Sequence, residues 1–70
     1  MRLIVNGETG EHEAADLAAL FACEAEDKGI GGPEGIAMAL NGRVVRRADW
    51  AATALTEGDR VEIVRAMQGG

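Results

Sequence analysis

Two Asn-Gly dipeptides, each placed directly after a short apolar run, constrain the fold of this chain more than any other feature. Asn-Gly is the dipeptide that best tolerates the left-handed backbone of a two-residue hairpin turn. The first, Asn6-Gly7, ends a strand of β-branched and apolar residues predicted over residues 1–5. A short polar strand is expected to return over residues 11–14, with Gly10 making its start uncertain. The amino-terminal part of the chain therefore predicts a hairpin.

The second dipeptide, Asn41-Gly42, repeats this signal later in the chain. It follows the alternating large and small residues of Ile36–Leu40 and precedes residues 43–46, which form the expected partner strand. A last strand is predicted over Arg60–Arg65, after a turn at residues 57–59. The pattern thus contains two hairpins and one further strand.

One helix is predicted between the two hairpins, over residues 15–28. This stretch is rich in strong helix formers, and its larger apolar residues recur at intervals of three and four. Lys28 lies where a cation meets the negative end of the helix dipole, and Gly29 suits a left-handed cap. No good Ser, Thr or Asp cap is expected at the start of the helix. A glycine-rich loop follows over residues 31–35.

These elements predict an α+β fold in which an antiparallel-rich sheet carries one helix across one face. Within residues 47–56, a short helical turn is expected to place Trp50 and Leu55 over the edge of the core. Two-residue periodicity sends a set of small or branched apolar residues to the opposite face of the sheet: Ile4, Ala37, Ala39, Val64 and Ala66. Such a face is either a docking surface for another protein or a solvated side with a few harmless apolar residues.

Length and charge exclude several classes of function. Seventy residues allow one domain and leave too little chain to wall a roomy catalytic cavity, which argues against a self-sufficient enzyme. A net charge of −5 disfavours binding to nucleic acid, and every apolar run is far shorter than the roughly 20 residues of a membrane span. The single cysteine, Cys23, cannot form an internal disulfide, and no leader peptide is recognisable, so a cytoplasmic protein is expected.

Three residue groups suggest chemistry but have simpler interpretations. Glu11, His12 and Glu13 alternate across an extended strand, so they cannot converge on one metal ion. Cys23 lies in a different element from the one histidine, which disfavours a catalytic pair. The glycines of residues 29–35 follow a helix, whereas a phosphate-binding loop precedes one. We therefore predict neither a metal site nor a cofactor site.

Charge is distributed unevenly along the chain. Residues 1–35 carry two basic and eight acidic side chains, a net charge of −6, whereas residues 36–70 carry five basic and four acidic ones, a net charge of +1. Arg43, Arg46 and Arg47 form the one basic cluster. The cluster is either ordinary solvated surface or a contact for an acidic partner.

The last residues, Met67, Gln68, Gly69 and Gly70, have no strand partner signal. We expect a single domain over residues 1–66 and a mobile tail over residues 67–70. Because glycine has no Cβ, two glycines in series can pass through a channel too narrow for side chains. Four extended residues span about 13–14 Å, enough to place a terminal carboxylate in another protein's active site.

The chain resembles the β-grasp, ubiquitin-like sulfur carriers, and among them the ThiS family. The resemblance covers essentially the whole chain and rests on residues 2–7, 39–45, 47–50 and 57–63 together with Gly69-Gly70. It implies a mixed sheet of four to five strands, one main helix on one face of the sheet, and a flexible carboxy-terminal tail.

The same resemblance implies a function in which the catalytic groups belong to partner proteins. The Gly70 carboxylate would be adenylated by a ThiF-like enzyme and converted to a thiocarboxylate with sulfur from a donating enzyme. It would then pass the sulfur to a ThiG-like thiazole synthase, for the thiazole ring of thiamin. Met67, Gln68 and Gly69 would thread the tail into these partners, and the free protein would be a monomer. The alternatives are a molybdopterin-synthase small subunit, a ubiquitin-like modifier, or a passive interaction module.

Overall fold

The computed structural model describes residues 1–29, 32 and 34–65. Its secondary structure begins with a pair of short strands and ends with a longer one. In chain order the elements are β1 (Arg2–Val5), β2 (Glu8–Glu11), α1 (Leu17–Lys28), β3 (Ile36–Leu40), β4 (Arg43–Val45), a 3-10 helix (Arg47–Ala52) and β5 (Arg60–Arg65). No helix in the described ranges is long and apolar enough to cross a membrane. The predicted boundary at residue 66 lies outside the described residues.

The five strands form one mixed sheet in the order β2-β1-β5-β3-β4. β1 pairs with β5 in parallel, and the other three pairings are antiparallel. The last strand of the chain therefore lies in the middle of the sheet, between the two hairpins. Helix α1 contributes Leu17, Leu20 and Phe21 to the core on one face of the sheet. This arrangement is the β-grasp fold, which confirms the predicted fold class.

Both Asn-Gly turns have the predicted left-handed backbone. Asn6 and Gly7 have φ of 51° and 83°, and Asn41 and Gly42 have φ of 52° and 87°. These are the values that a type I′ turn requires at both central positions. The second predicted strand was wrong in its position, however, because a two-residue turn places Glu8 directly opposite Val5. Pairing therefore begins at once, and the strand spans Glu8–Glu11 instead of residues 11–14.

Helix α1 starts at Leu17, two residues later than predicted, and it has a cap that the sequence analysis missed. Asp16 is extended, with φ of −147°, and its Oδ1 accepts a hydrogen bond of 2.8 Å from the backbone N–H of Ala19. An aspartate in this position satisfies one of the free N–H groups at a helix start. At the other end, Gly29 has φ of 73° and donates its N–H to the carbonyl of Ala25, so the predicted left-handed cap is confirmed.

Trp50 covers the edge of the core, as predicted for the short helical turn. It is 4% exposed, its ring centroid lies 5.3 Å from that of Phe21, and its Nε1 donates to the Val45 carbonyl at 2.9 Å. Leu55 is also buried. Strand β4 ends at Val45 instead of residue 46, because Arg46 already serves as the extended residue before the 3-10 helix.

The buried core combines residues from three of the strands and both helices with two residues of the connecting segments. Its members are Leu3, Val5, Ala14, Leu17, Leu20, Phe21, Met38, Trp50, Leu55 and Val61, with Val45 and Ile63 partly buried against them. Met38 and Val61 lie on neighbouring central strands and are fully buried, so the sheet and helix enclose one continuous core.

Candidate functional site

Strand β5 is the described element nearest in sequence to the predicted tail, with Ala66 between them. β5 pairs with β3 from Val61, opposite Leu40, to its last residue Arg65, opposite Ile36. On its other side, β1 pairs only with the first residues of β5. Residues Met67, Gln68, Gly69 and Gly70 lie outside the described residues, so their predicted roles stay predictions. The structure does describe β5, the strand that precedes them in the sequence.

The asparagine of the first turn supports β5 beyond the point where β1 ends. Asn6 Oδ1 accepts a hydrogen bond of 2.8 Å from the backbone N–H of Ile63. This bond satisfies a β5 donor that has no further β1 residue to pair with. The Asn6 side chain therefore extends the hydrogen bonding between β1 and β5 past the end of β1.

The asparagine of the second turn fixes the start of β5. Asn41 Oδ1 accepts from the backbone N–H of Arg60 at 2.9 Å, and Asn41 Nδ2 donates to Asp59 Oδ1 at 3.1 Å. Asp59 Oδ2 in turn accepts from the backbone N–H of Thr56 at 2.8 Å. The hydrogen bond from Thr56, followed by that from Asn41, lowers the pKa of the Asp59 carboxyl, because both stabilise its charged form. β5 is thus held by side chains from both turns.

The face of the sheet opposite α1 carries a small patch of apolar side chains. Ala37 lies opposite Val64, and Ala39 lies between Glu62 on β5 and Val44 on β4. Val64 is 54% exposed and Val44 is 71% exposed. We call Ala37, Ala39, Val44 and Val64 the outer patch. Strand pairing therefore joins three of the predicted face residues into one exposed surface beside the end of β5.

The other two predicted face residues do not join the outer patch. Ile4 is on the same side of the sheet and half-buried, but it pairs with Thr9 and with Arg60. Arg60 and Glu62, both on β5, separate Ile4 from the alanines of β3. Ala66 lies outside the described residues. The predicted face is thus divided by a charged row that residue periodicity within single strands does not reveal.

Val44 is the member of the outer patch that the sequence analysis missed. The signal for it was present, because a two-residue turn at Asn41-Gly42 pairs Leu40 with Arg43 and therefore Ala39 with Val44. Residues directly opposite each other in an antiparallel pair lie on the same face. Counting outward from the turn places Val44 beside Ala39.

The residues considered for metal or nucleophile chemistry lie at the end of β2, directly after it, and on α1. Glu11 ends β2, and His12 follows it, half-buried. Cys23 is exposed on α1. Within residues 1–29, 32 and 34–65, no group of three His, Cys, Asp or Glu side chains is arranged to hold a metal ion.

Comparison with known proteins places this fold and sequence in one family. A model of the ThiS family matches residues 2–70. The crystal structure of the thiamine biosynthesis protein ThiS from Geobacter metallireducens is 30% identical, has a TM-score of 0.79, and aligns over 100% of both chains. An NMR solution structure of a thiamine biosynthesis protein from the same organism is 30% identical, with a TM-score of 0.76 over 100% of this chain and 88% of that one. A search of curated proteins finds no significant match. Because the family match covers nearly every residue, the chain belongs to the ThiS family.

Proposed function

We propose that this protein is a sulfur carrier of thiamin biosynthesis. The observation that carries the proposal is the ThiS-family match over residues 2–70, which includes Gly69 and Gly70. The similar structures from Geobacter metallireducens, both named for thiamine biosynthesis, support the same pathway. In this role the protein is a co-substrate of other enzymes, and its own residues hold and present the reacting group.

The reacting group in this proposal is the carboxylate of Gly70. A carboxylate resists attack because oxide is a poor leaving group, so it needs activation. One carboxylate oxygen attacks the α-phosphorus of ATP and pyrophosphate leaves, which forms an acyl adenylate. Hydrosulfide then attacks the acyl carbon, AMP leaves with the C–O bond electrons, and the proton of hydrosulfide passes to solvent. The product is a terminal thiocarboxylate, which can donate its sulfur.

The described part of the chain supports this role, because it offers partner enzymes a folded surface to bind. β5 is held in the centre of the sheet and by Asn6 and Asn41, so the strand that precedes the tail in the sequence is well anchored. The outer patch lies beside the end of that strand, where an enzyme receiving the tail would also contact the sheet. We propose that the partner-binding face comprises this patch together with Ile4 and Ala66. Its partners are a ThiF-like adenylating enzyme, a ThiG-like thiazole synthase and a sulfur-donating enzyme.

Mass spectrometry of the intact protein tests the chemistry. After incubation with a ThiF-like adenylating enzyme, ATP and sulfide, we expect the chain to exchange one oxygen for sulfur. A chain lacking Gly69 and Gly70 should show no exchange and an unchanged thermal transition, because tail residues contribute little to stability. An unmodified full-length chain, or conjugates to lysines of other proteins in place of a thiocarboxylate, would contradict the proposal.

The partner face is tested separately with charge substitutions. Val44→Glu and Val64→Glu place a charge within the outer patch and should raise the KM of the adenylating enzyme for this protein. The matched control is Ala22→Glu, which adds the same charge on the exposed side of α1 and should leave KM unchanged. Equal effects of all three substitutions would mean that net charge, and not the patch, controls recognition.

A further inference from the structure

A groove runs along β4 between this edge strand and the 3-10 helix. Its apolar floor includes Leu40, Val45 and Ala52, and its polar lining includes Arg43, Arg46 and Asp49. We call these six residues the β4 groove. Leu40 and Val45 are half-buried, and Ala52 is exposed, so the floor is open to an approaching chain. Leu40 and Val45 lie on the same side of the sheet as α1, and Val44 of the outer patch also lines the groove, so the two surfaces meet at β4.

The free edge of β4 offers backbone hydrogen bonds next to this groove. β4 is the last strand of the sheet, with β3 on one side only. Leu40 and Arg43 flank the two-residue turn and form a hydrogen-bonded pair, so the next pair, Ala39 and Val44, is of the non-hydrogen-bonded kind. The N–H and C=O of Val44 therefore point away from β3. Within the described residues, neither group has a backbone partner outside the sheet.

The charge of the β4 groove is opposite to that of the whole protein. The chain has a net charge of −5, yet the groove contains two arginines and a single carboxylate, Asp49. Arg47 pairs with Glu34 at 3.9 Å, whereas Arg43 and Arg46 form no ion pair with any residue in the described ranges. Both side chains are exposed. Their positive charge is therefore available to an acidic ligand.

We propose that the β4 groove binds an extended acidic segment of a partner protein, which adds to the sheet as a strand beside β4. The N–H and C=O of Val44 would bond to the backbone of that segment, as in other cases of strand addition. Its alternate side chains would lie over Leu40 and Ala52, and its carboxylates would meet Arg43 and Arg46. The proposal does not depend on the sulfur chemistry of the tail.

Titration of the full chain with a labelled peptide of alternating glutamate and valine tests this proposal. We expect saturable binding by fluorescence polarisation, weakened by added salt because the charges are exposed. In amide NMR spectra, the Val44 resonance should shift and its hydrogen exchange should slow. A peptide N-methylated at alternate positions lacks the donors that a strand needs and should bind at least several-fold more weakly. Binding that leaves Val44 unaffected would overturn the proposal.

Matched charge reversals locate the binding site. Arg43→Glu/Arg46→Glu should weaken peptide binding on the order of tenfold, because two attractive contacts become repulsive. Arg46→Glu alone should weaken it less, while Arg65→Glu makes the same charge change on β5 and should have little effect. Thermal unfolding of each variant checks that the fold is retained. Equal losses for Arg46→Glu and Arg65→Glu would overturn the proposal by showing non-specific attraction.

Other occupants of the groove give different results. If the acidic β2 strand of a second copy filled it, the protein would self-associate at the concentrations used, and sedimentation would detect this in the absence of peptide. If the arginines bound phosphates, a single-stranded oligonucleotide would compete with the peptide at lower concentration than free glutamate does. Either result would overturn the proposed partner.

Discussion

The two Asn-Gly hairpins have nearly the same turns but contribute different surfaces to the protein. Their asparagines differ in φ by one degree, and each directs its Oδ1 to a backbone N–H of β5, Ile63 for Asn6 and Arg60 for Asn41. The hairpins join β5 in opposite senses, since β1 pairs with it in parallel and β3 pairs in antiparallel fashion. The same local signal therefore builds both halves of the sheet.

The outer edges of the two hairpins differ in charge. Edge strand β2 contains Glu8 and Glu11, and Glu11 lies 3.7 Å from both the Arg2 side chain and the amino terminus. Edge strand β4 carries Arg43 and is followed directly by Arg46. The turn residues determine how each hairpin closes, whereas the residues on the two outer strands give the two edges of the sheet opposite charge.

Removal of a core side chain from either hairpin should have the largest effect on stability. Leu3 on β1 and Met38 on β3 are both fully buried. Leu3→Ala and Met38→Ala should each lower the free energy of unfolding by about 2–5 kcal/mol, which is a large share of the stability of a small domain. Urea unfolding measures the loss, with the exposed Val64→Ala as control. A loss confined to one of the two hairpins would show that they do not share one core.

Substitution of the turn glycines should have the next largest effect. Gly7 and Gly42 have φ of 83° and 87°, so Gly7→Ala and Gly42→Ala should each cost about 1–2 kcal/mol of unfolding free energy. Neither site is crowded, so the cost reflects backbone strain. Gly10→Ala is the matched control, because Gly10 lacks a positive φ and its nearest neighbour would lie at 3.5 Å. Thermal unfolding measures the stability of the three variants. A greater loss of stability for Gly10→Ala than for the two turn variants would contradict this reasoning.

The two asparagines allow a finer test, because their side chains make different numbers of hydrogen bonds. Asn41 bonds to both Arg60 and Asp59, whereas Asn6 bonds to Ile63. Replacement by glycine keeps the left-handed backbone accessible and removes only the side chain. We expect Asn6→Gly to cost about 0.5–1.5 kcal/mol and Asn41→Gly to cost more, as measured by urea unfolding. A larger loss of unfolding free energy for Asn6→Gly than for Asn41→Gly would contradict the expected order of the two contacts.

The Asp59 carboxylate, which accepts a hydrogen bond from Asn41 of the second hairpin, should make the stability of the protein sensitive to acid. Its folded-state pKa is lowered from the ordinary value of 3.8, so its contribution to stability is present above that value. The contribution is lost as the pH falls through the lowered folded-state pKa. Urea unfolding of the wild type and of Asp59→Asn at neutral pH and below pH 3.8 should therefore show a difference that shrinks in acid. A constant difference would mean that the ionised form is not the stabilising one.

Much of the fold was predictable because its signals are local. Residue preferences within a few positions predict two of the strands, the left-handed cap and both turns. The strands are Ile36–Leu40 and Arg60–Arg65, and the cap is Gly29. The errors were also local in origin. The two-residue turn at Asn6-Gly7 begins the second strand at Glu8, earlier than predicted. Asp16 is the cap before the helix, whereas the predicted helix includes it as its second residue.

The candidate site was less predictable, because it depends on which strands become neighbours. Periodicity within each strand identified Ala37, Ala39 and Val64 as facing away from α1, and the structure agrees. It did not show that Arg60 and Glu62 separate Ile4 from them, since that requires β5 to lie between β1 and β3. The family resemblance, which came from the residues at the turns and strands, is confirmed by the match over residues 2–70.

The turns and most strand and helix spans follow from the sequence, because φ preferences, alternation and capping act over short stretches of chain, and the family follows from the resemblance along the whole chain. The central place of β5, the asparagine contacts that hold it, and the division of the outer face become visible only in the three-dimensional arrangement. These features depend on pairings between residues as far apart as Asn6 and Ile63. Contacts at such separation form when the whole core is buried together, so no short segment can specify them alone.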